Sequence, residues 1–247
     1  MTKLTLAASH RVWVRLCHWV IALSFLTLAV SGFLILMVHP RLYWGEVGND
    51  LTSAWLELPI SANHQPEGWR QTATFTALAN APISADRTYE IFNQNGWGRS
   101  LHFLAGWFLV VAGFVYVVAG IVTGHARRDL LPGLRDLTPR ALWRDLKMHL
   151  LQAESFGAGA PYGLLQRCAY AGVAFVALPL MVLTGLSMSP AIAAAYPLLR
   201  DLLGGQQSVR TVHFIGFALL VLFLLVHTAM VVLTGFRKQM RAMTLGN

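Results

Sequence analysis

Charge is scarce in this chain. Its 247 residues include 19 Lys and Arg and 11 Asp and Glu, 12% in all, about half the share of ordinary soluble domains. With 55% of residues apolar, the composition excludes a soluble globular domain and indicates an integral membrane protein. Acid is scarcer than base, and the formal net charge is +8. Cysteine is nearly absent. Cys17 and Cys168 both fall at helix ends expected on the cytoplasmic side, which argues against a structural disulfide. No C-x-x-C-H occurs, so covalent c-type haem attachment is excluded. Internal repeats and low-complexity tracts are missing as well.

Long hydrophobic runs are what the chain does have. Leu16 to His39, Ser100 to Ala126, Cys168 to Leu199 and Thr211 to Phe236 contain no Asp, Glu, Lys or Arg, and each exceeds the roughly 20 residues that cross a bilayer as a helix. The first run is too long for a signal peptide and ends without an A-x-A-like site. The expected fold is all-α and integral to the membrane: one domain over 1–247, a four-transmembrane-helix bundle with spans near 12–38, 99–125, 164–190 and 209–236. Three Lys and Arg precede the first charge-free run, seven lie between the second and third, and three follow the fourth. That excess predicts cytoplasmic termini, a cytoplasmic loop 126–163 and a long periplasmic loop 39–98. Topology thus accounts for the positive charge, and nucleic acid is not an expected partner.

The long loop carries Trp44, Trp55, Trp69 and Trp97, prolines 40, 59, 66 and 82, and six acidic residues. A segment of that length without a long helix is uncommon unless it folds over the bundle or meets a partner, and a docking surface is expected here. Pro139 to Leu151, PRALWRDLKMHLL, has the pattern of an amphipathic helix lying along the membrane surface.

Of nine histidines, four fall inside the spans. His213 and His227 are fourteen residues apart, close to four helical turns, so they leave one helix on the same face about 21 Å apart. Sorted by depth, His102 pairs with His213 near the external face and His18 with His227 near the cytoplasmic face. Ionisable groups in spans are costly and turn inward. Two imidazoles per level are too few for zinc, which takes three or four protein ligands; a porphyrin supplies four nitrogens and leaves two axial positions. The expectation is two non-covalent, bis-histidine b-type haems, with His18, His102, His213 and His227 as iron ligands. Interhelical hydrogen bonding by buried histidines is the competing reading. Gly32, fourteen residues after His18, is expected to clear room for a macrocycle. Arg15, Arg99 and Arg210, each three residues before one of these histidines, are candidates to hold propionates, or else anchor helix ends at the headgroups. His10, His39, His64, His125 and His149 are expected to be solvated or interfacial.

RVWVRLCHWVIALSFLTLAVSG, RSLHFLAGWFLVVAGFVYVVAGIVTGH and the H-x13-H of the fourth span resemble the bacterial cytochrome b561 superfamily. The likeness is greatest to the membrane cytochrome b subunits of nickel-iron hydrogenase, formate dehydrogenase and thiosulfate reductase. HPRLYWGE, from His39, is similar to the thiosulfate-reductase-type branch. PYGLLQ resembles a Tyr-Asn-x-x-Gln pattern, with Gly163 in the Asn position. The resemblance implies an electron-transfer subunit of the bacterial inner membrane rather than a substrate-converting one. It would relay electrons between the quinone pool and a periplasmic molybdopterin oxidoreductase, with a hydrogenase or c-type cytochrome as other partners of the same kind. The alternative is a stand-alone oxidoreductase between quinone and a small species such as superoxide or ferric iron. Arg15, His125, Gln166 and Arg167 are the polar groups expected nearest the cytoplasmic haem.

Overall fold

The computed structural model describes residues 10–38, 40–48, 52–58, 95–133, 135–151 and 163–246. Most of the long loop, including Trp69, lies outside this set, as do His39 and His64. Helices dominate: α1 (Val12–Val38), α2 (Asn95–Val122), α3 (Pro139–Leu151), α4 (Leu164–Gly172), α5 (Leu178–Ser187), α6 (Pro190–Ala195), α7 (Pro197–Leu202), α8 (Gln206–Leu233) and α9 (Phe236–Thr244). Four stretches are long and apolar enough to cross a membrane: Val12–Met37, Gly96–Val122, Leu164–Ser187 and Gln206–Leu233. The chain is an all-α integral membrane protein. In α1 the two faces differ in kind. Cys17, Ser24 and Ser31, small and seven residues apart, are buried, whereas Leu16, Val20, Leu23, Val30 and Phe33 are exposed, as expected where lipid solvates the large side chains and small ones permit close helix approach.

The third span is not one regular helix. Between α4 and α5 the turn Val173–Ala177 is a π-helix, and the Leu178 amide donates to the Val173 carbonyl, five residues back. Pro179 follows at once. A proline inside a helix lacks an amide donor and crowds the preceding turn, and a widened turn accommodates it. A second π turn, Ala126–Leu130, comes after α2 has been ended by Gly124 at φ +69°. The Arg167 guanidinium donates to the carbonyls of Arg128 (3.1 Å) and Leu131 (2.6 Å) there. Asp145 of α3 accepts from the Leu165 amide at 2.7 Å, so an acidic side chain from one helix caps the start of another.

The residues group into two compact units, one formed by 1–22, 109–179 and 219–247, the other by 23–108 and 180–218. Every span contributes to both. In the first unit, α9 meets the start of α1: the Trp19 indole donates to the Met243 carbonyl (3.0 Å) and Arg15 to the Thr244 carbonyl (3.2 Å).

In the second unit, residues following α1 make a small hairpin. Strands β1 (Arg41–Leu42) and β2 (Leu56–Glu57) pair antiparallel, Arg41 opposite Glu57, and the Arg41 guanidinium bonds the Glu57 carboxylate at 3.1 Å. The chain between them seals the N-terminus of α8. Amides of Gln207 and Ser208 donate to the Gly45 carbonyl (3.0 and 3.2 Å), the Gln206 amide donates to Glu46 (2.9 Å), and the Thr211 hydroxyl donates to the Tyr43 carbonyl (2.6 Å). The first amides of a helix have no partner within it; here a distant loop supplies them. This cap explains why α8 begins at Gln206, ahead of the start near 209 expected from the charge-free run. Gly204 and Gly205 make the approach feasible, at φ +83° and +104°, and a Cβ on Gly205 would stand 2.7 Å from the Gly45 carbonyl carbon.

Gly205→Ala therefore suffers both a left-handed backbone, costing about 1–3 kcal/mol, and a collision with main chain. Gly204→Ala, whose Cβ would lie 3.4 Å from the Ser208 hydroxyl, bears mainly the first. Apparent melting temperatures in detergent should fall for both variants, and further for Gly205→Ala.

Candidate functional site: two imidazole pairs

The four span histidines come together two by two, each pair inside one unit. In the first unit His18 of α1 faces His227 of α8, ring centres 6.4 Å apart and planes inclined by 53°. Phe223, one turn earlier on α8, stacks on His227 at 5.7 Å, and Tyr170 of α4 meets the same ring edge-on at 6.0 Å. Gln166 donates to the Tyr170 hydroxyl at 3.3 Å, while its carbonyl oxygen accepts from the Gly163 amide at 3.4 Å. The His18 Nδ1 atom is buried without a hydrogen-bond partner.

In the second unit His102 of α2 faces His213 of α8, with ring centres again 6.4 Å apart and planes at 61°. Both Nδ1 atoms are held here. The His102 Nδ1 lies 2.9 Å from the Ser31 hydroxyl on α1, and the His213 Nδ1 lies 2.7 Å from the Thr184 hydroxyl on α5. Ser31 and Thr184 are both wholly buried, at 0% exposure. A glycine follows each hydroxyl. A Cβ on Gly32 would lie 3.3 Å from His102 Cε1, and one on Gly185 3.6 Å from His213 Cε1. Gly32 thus leaves room directly for an imidazole ring.

The ring separation tests what each pair can hold. A histidine nitrogen sits about 2.0 Å from a ligated metal, which puts the ring centre about 3.1 Å away; two imidazoles on opposite sides of one metal are then about 6.2 Å apart. Both pairs meet that spacing. Among the described residues no group of three or more His, Cys, Asp or Glu could hold a bare metal ion, so a group bringing its own equatorial donors fits the donor set.

The remaining candidates are placed as follows. Arg15 turns one nitrogen to the Thr244 carbonyl and keeps a buried Nε without a partner. Arg99 is exposed and Arg210 half-buried, on the second-unit segments of α2 and α8. His125, expected to be solvated or interfacial, packs against aromatic rings. Its side chain is 12% exposed, and its Nδ1 lies 2.6 Å from the Asp129 carboxylate. Trp13 and Tyr116 pack edge-on against it at 5.5 and 6.2 Å. The π turn is what folds His125 back among these rings. Burial above all, with the charges of His125 and Arg15, holds the nearby His10 imidazole below its ordinary 6.5.

Sequence reasoning missed Ser31, Thr184, Gly185, Tyr170 and Phe223. One signal was present for three of them: Ser31–Gly32 and Thr184–Gly185 are hydroxyl–glycine steps in two different spans.

Two pairs of facing imidazoles inside membrane-spanning helices suit a membrane haem protein. The chain matches the model of the prokaryotic cytochrome b561 family over residues 9–246 and belongs to that family, as a b-type cytochrome of membrane electron transport. It is 29% identical over 226 residues, 92% of this chain and 91% of the other, to a putative protein-methionine-sulfoxide reductase subunit, YedZ1, of Azospira oryzae. No solved structure matches it.

Gly32→Ala should lower the b-haem absorbance, because its methyl must push the His102 ring, whereas Gly185→Ala at ordinary contact distance should leave it near wild type. The depressed His10 has a separate consequence. It stays neutral in the folded chain where the unfolded chain takes up a proton, so stability falls as pH drops below about 6.5. His10→Gln should flatten the dependence of apparent melting temperature on pH between about 7.5 and 5.5.

Proposed function

We propose that the chain is a dihaem subunit of the bacterial inner membrane, relaying electrons between quinone and a periplasmic oxidoreductase of the molybdopterin type. The equal 6.4 Å separation of both imidazole pairs carries this reading. His18 and His227 hold one haem on the cytoplasmic side; His102 and His213 hold the other on the periplasmic side. When bound, haem supplies a one-electron iron couple. The protein's own part is to present four neutral imidazoles from three helices and to exclude water around them. Phe223 and Tyr170 wall the first pair, while Ser31 and Thr184 orient the second. Arg15, Arg99 and Arg210, each one turn before a ligand, hold propionates.

The Azospira relative is described as a methionine-sulfoxide reductase subunit. By that likeness the partner reduces protein methionine sulfoxide, and electrons leave quinol for the periplasm. The hairpin at 40–58 is part of the docking surface, where the Trp44 and Trp55 rings meet at 5.5 Å and both side chains remain exposed.

A pyridine haemochrome assay on the purified chain tests the core of this reading. About two b haems per polypeptide are expected, falling to about one in His102→Ala or His227→Ala. Unchanged haem in those variants sinks the assignment. Quinol oxidation by the purified chain with only superoxide or ferric iron as acceptor would point instead to a stand-alone oxidoreductase.

A further inference from the structure

The two imidazole pairs have the same spacing but different surroundings at Nδ1, and the difference assigns a role to two hydroxyls. The Ser31 hydroxyl donates to the Thr27 carbonyl at 2.7 Å, and the Thr184 hydroxyl donates to the Leu180 carbonyl at 2.8 Å. Each is a bond back to the preceding turn of its own helix. A carbonyl can only accept, and a serine or threonine hydroxyl has one proton. That proton is committed to the carbonyl, so toward the imidazole the hydroxyl oxygen can only accept. It follows that His102 and His213 carry their proton on Nδ1 and donate it at 2.9 and 2.7 Å. Nε2 of each is left with its lone pair.

We propose that Ser31 and Thr184 are positioning residues that lock His102 and His213 in the Nδ1-protonated tautomer and lower the reduction potential of the haem held between them. This rests on the bis-histidine assignment above. Two relays run in parallel, imidazole to hydroxyl to helix carbonyl, one ending in α1 and one in α5. Gly32 belongs to the same device. It lets α1 come close enough for the hydroxyl one residue earlier to reach the His102 ring. An imidazole whose outer N–H is bonded to an acceptor is a more basic ligand. Stronger donation favours the more highly charged ferric state and depresses the potential. The His18–His227 pair differs, since the buried His18 Nδ1 has no protein partner. The substitutions should therefore move one haem and leave the other.

The experiment is a potentiometric titration of the purified holoprotein, wild type against Ser31→Ala and Thr184→Val. Removing an outer partner of a metal ligand typically changes binding about tenfold. If the ferric-to-ferrous preference changes by that factor, the midpoint of one haem rises by about 59 mV per substitution while the other stays put. Ser31→Thr and Thr184→Ser, which keep the hydroxyl, should restore the wild-type value. Ser187→Ala should do nothing, because that buried hydroxyl donates to Leu183 of its own helix. Loss of one haem in Ser31→Ala with recovery in Ser31→Thr supports the proposal equally, whereas failure of the hydroxyl-retaining variants to recover means the site needs only shape, and overturns it. Midpoints unmoved with both haems retained overturn it too. In the reduced, diamagnetic holoprotein, 15N-histidine spectra should show protonated Nδ1 at His102 and His213. If His102→Ala and His213→Ala leave both haems in place, the ligand assignment has failed and not merely the role of the hydroxyls.

Discussion

An imidazole inside a membrane span needs a partner for each ring nitrogen, since neither water nor lipid can supply one at that depth. Much of the second unit follows from meeting that demand at Nδ1 of His102 and His213. In the second unit, hydroxyls on α1 and α5 take Nδ1 of each ring, and the two ring centres stand 6.4 Å apart. In the first unit aromatic packing by Phe223 and Tyr170 confines His227, and His18 keeps a buried Nδ1. The small residues beside these rings, Gly32 and Gly185 above all, are the steric counterpart of the same demand. Even a methyl at Gly32 would press on the His102 ring, whereas one at Gly185 would meet His213 at ordinary contact distance.

A second dependency runs through the hairpin after α1. His213 lies two turns into α8, and the position of its ring depends on where that helix starts. The start is set from outside the helix, by Gly45, Glu46 and Tyr43 bonding its first amides and the Thr211 hydroxyl. Gly205 permits this approach through a conformation that other residues adopt only under strain. A loop segment that would otherwise count as surface connection thereby takes part in aligning the His213 ring. The same segment carries the exposed tryptophans proposed for docking, so that proposed surface and the helix bearing His213 share a short covalent and hydrogen-bonded path.

The four spans were readable because crossing a bilayer imposes a length and a composition that few other structures share. The histidine pairs were readable because a 3.6-residue repeat converts H-x13-H into one face and because only two other histidines lie deep in the spans. Local detail escaped for identifiable reasons. Helix starts depended on capping by a remote hairpin. His125 looked like an end-of-helix residue, and it is half-buried because the chain continues as a π turn that carries it back against Trp13 and Tyr116. Ser31 and Thr184 drew no notice because a hydroxyl in a membrane helix ordinarily satisfies itself on its own backbone, which both of these also do.

Sequence by itself determined that the chain lives in a membrane, that it crosses four times, and which four imidazoles lie within the spans. These are consequences of hydrophobic length and helical period, both local properties of the chain. Tertiary structure decided the ring-to-ring distance, the hydroxyls beside Nδ1 of His102 and His213 and the boundaries of α8. Those depend on how closely helices from distant parts of the chain approach, and that closeness is set by glycines and hydroxyls whose significance appears only when the partner helix is beside them.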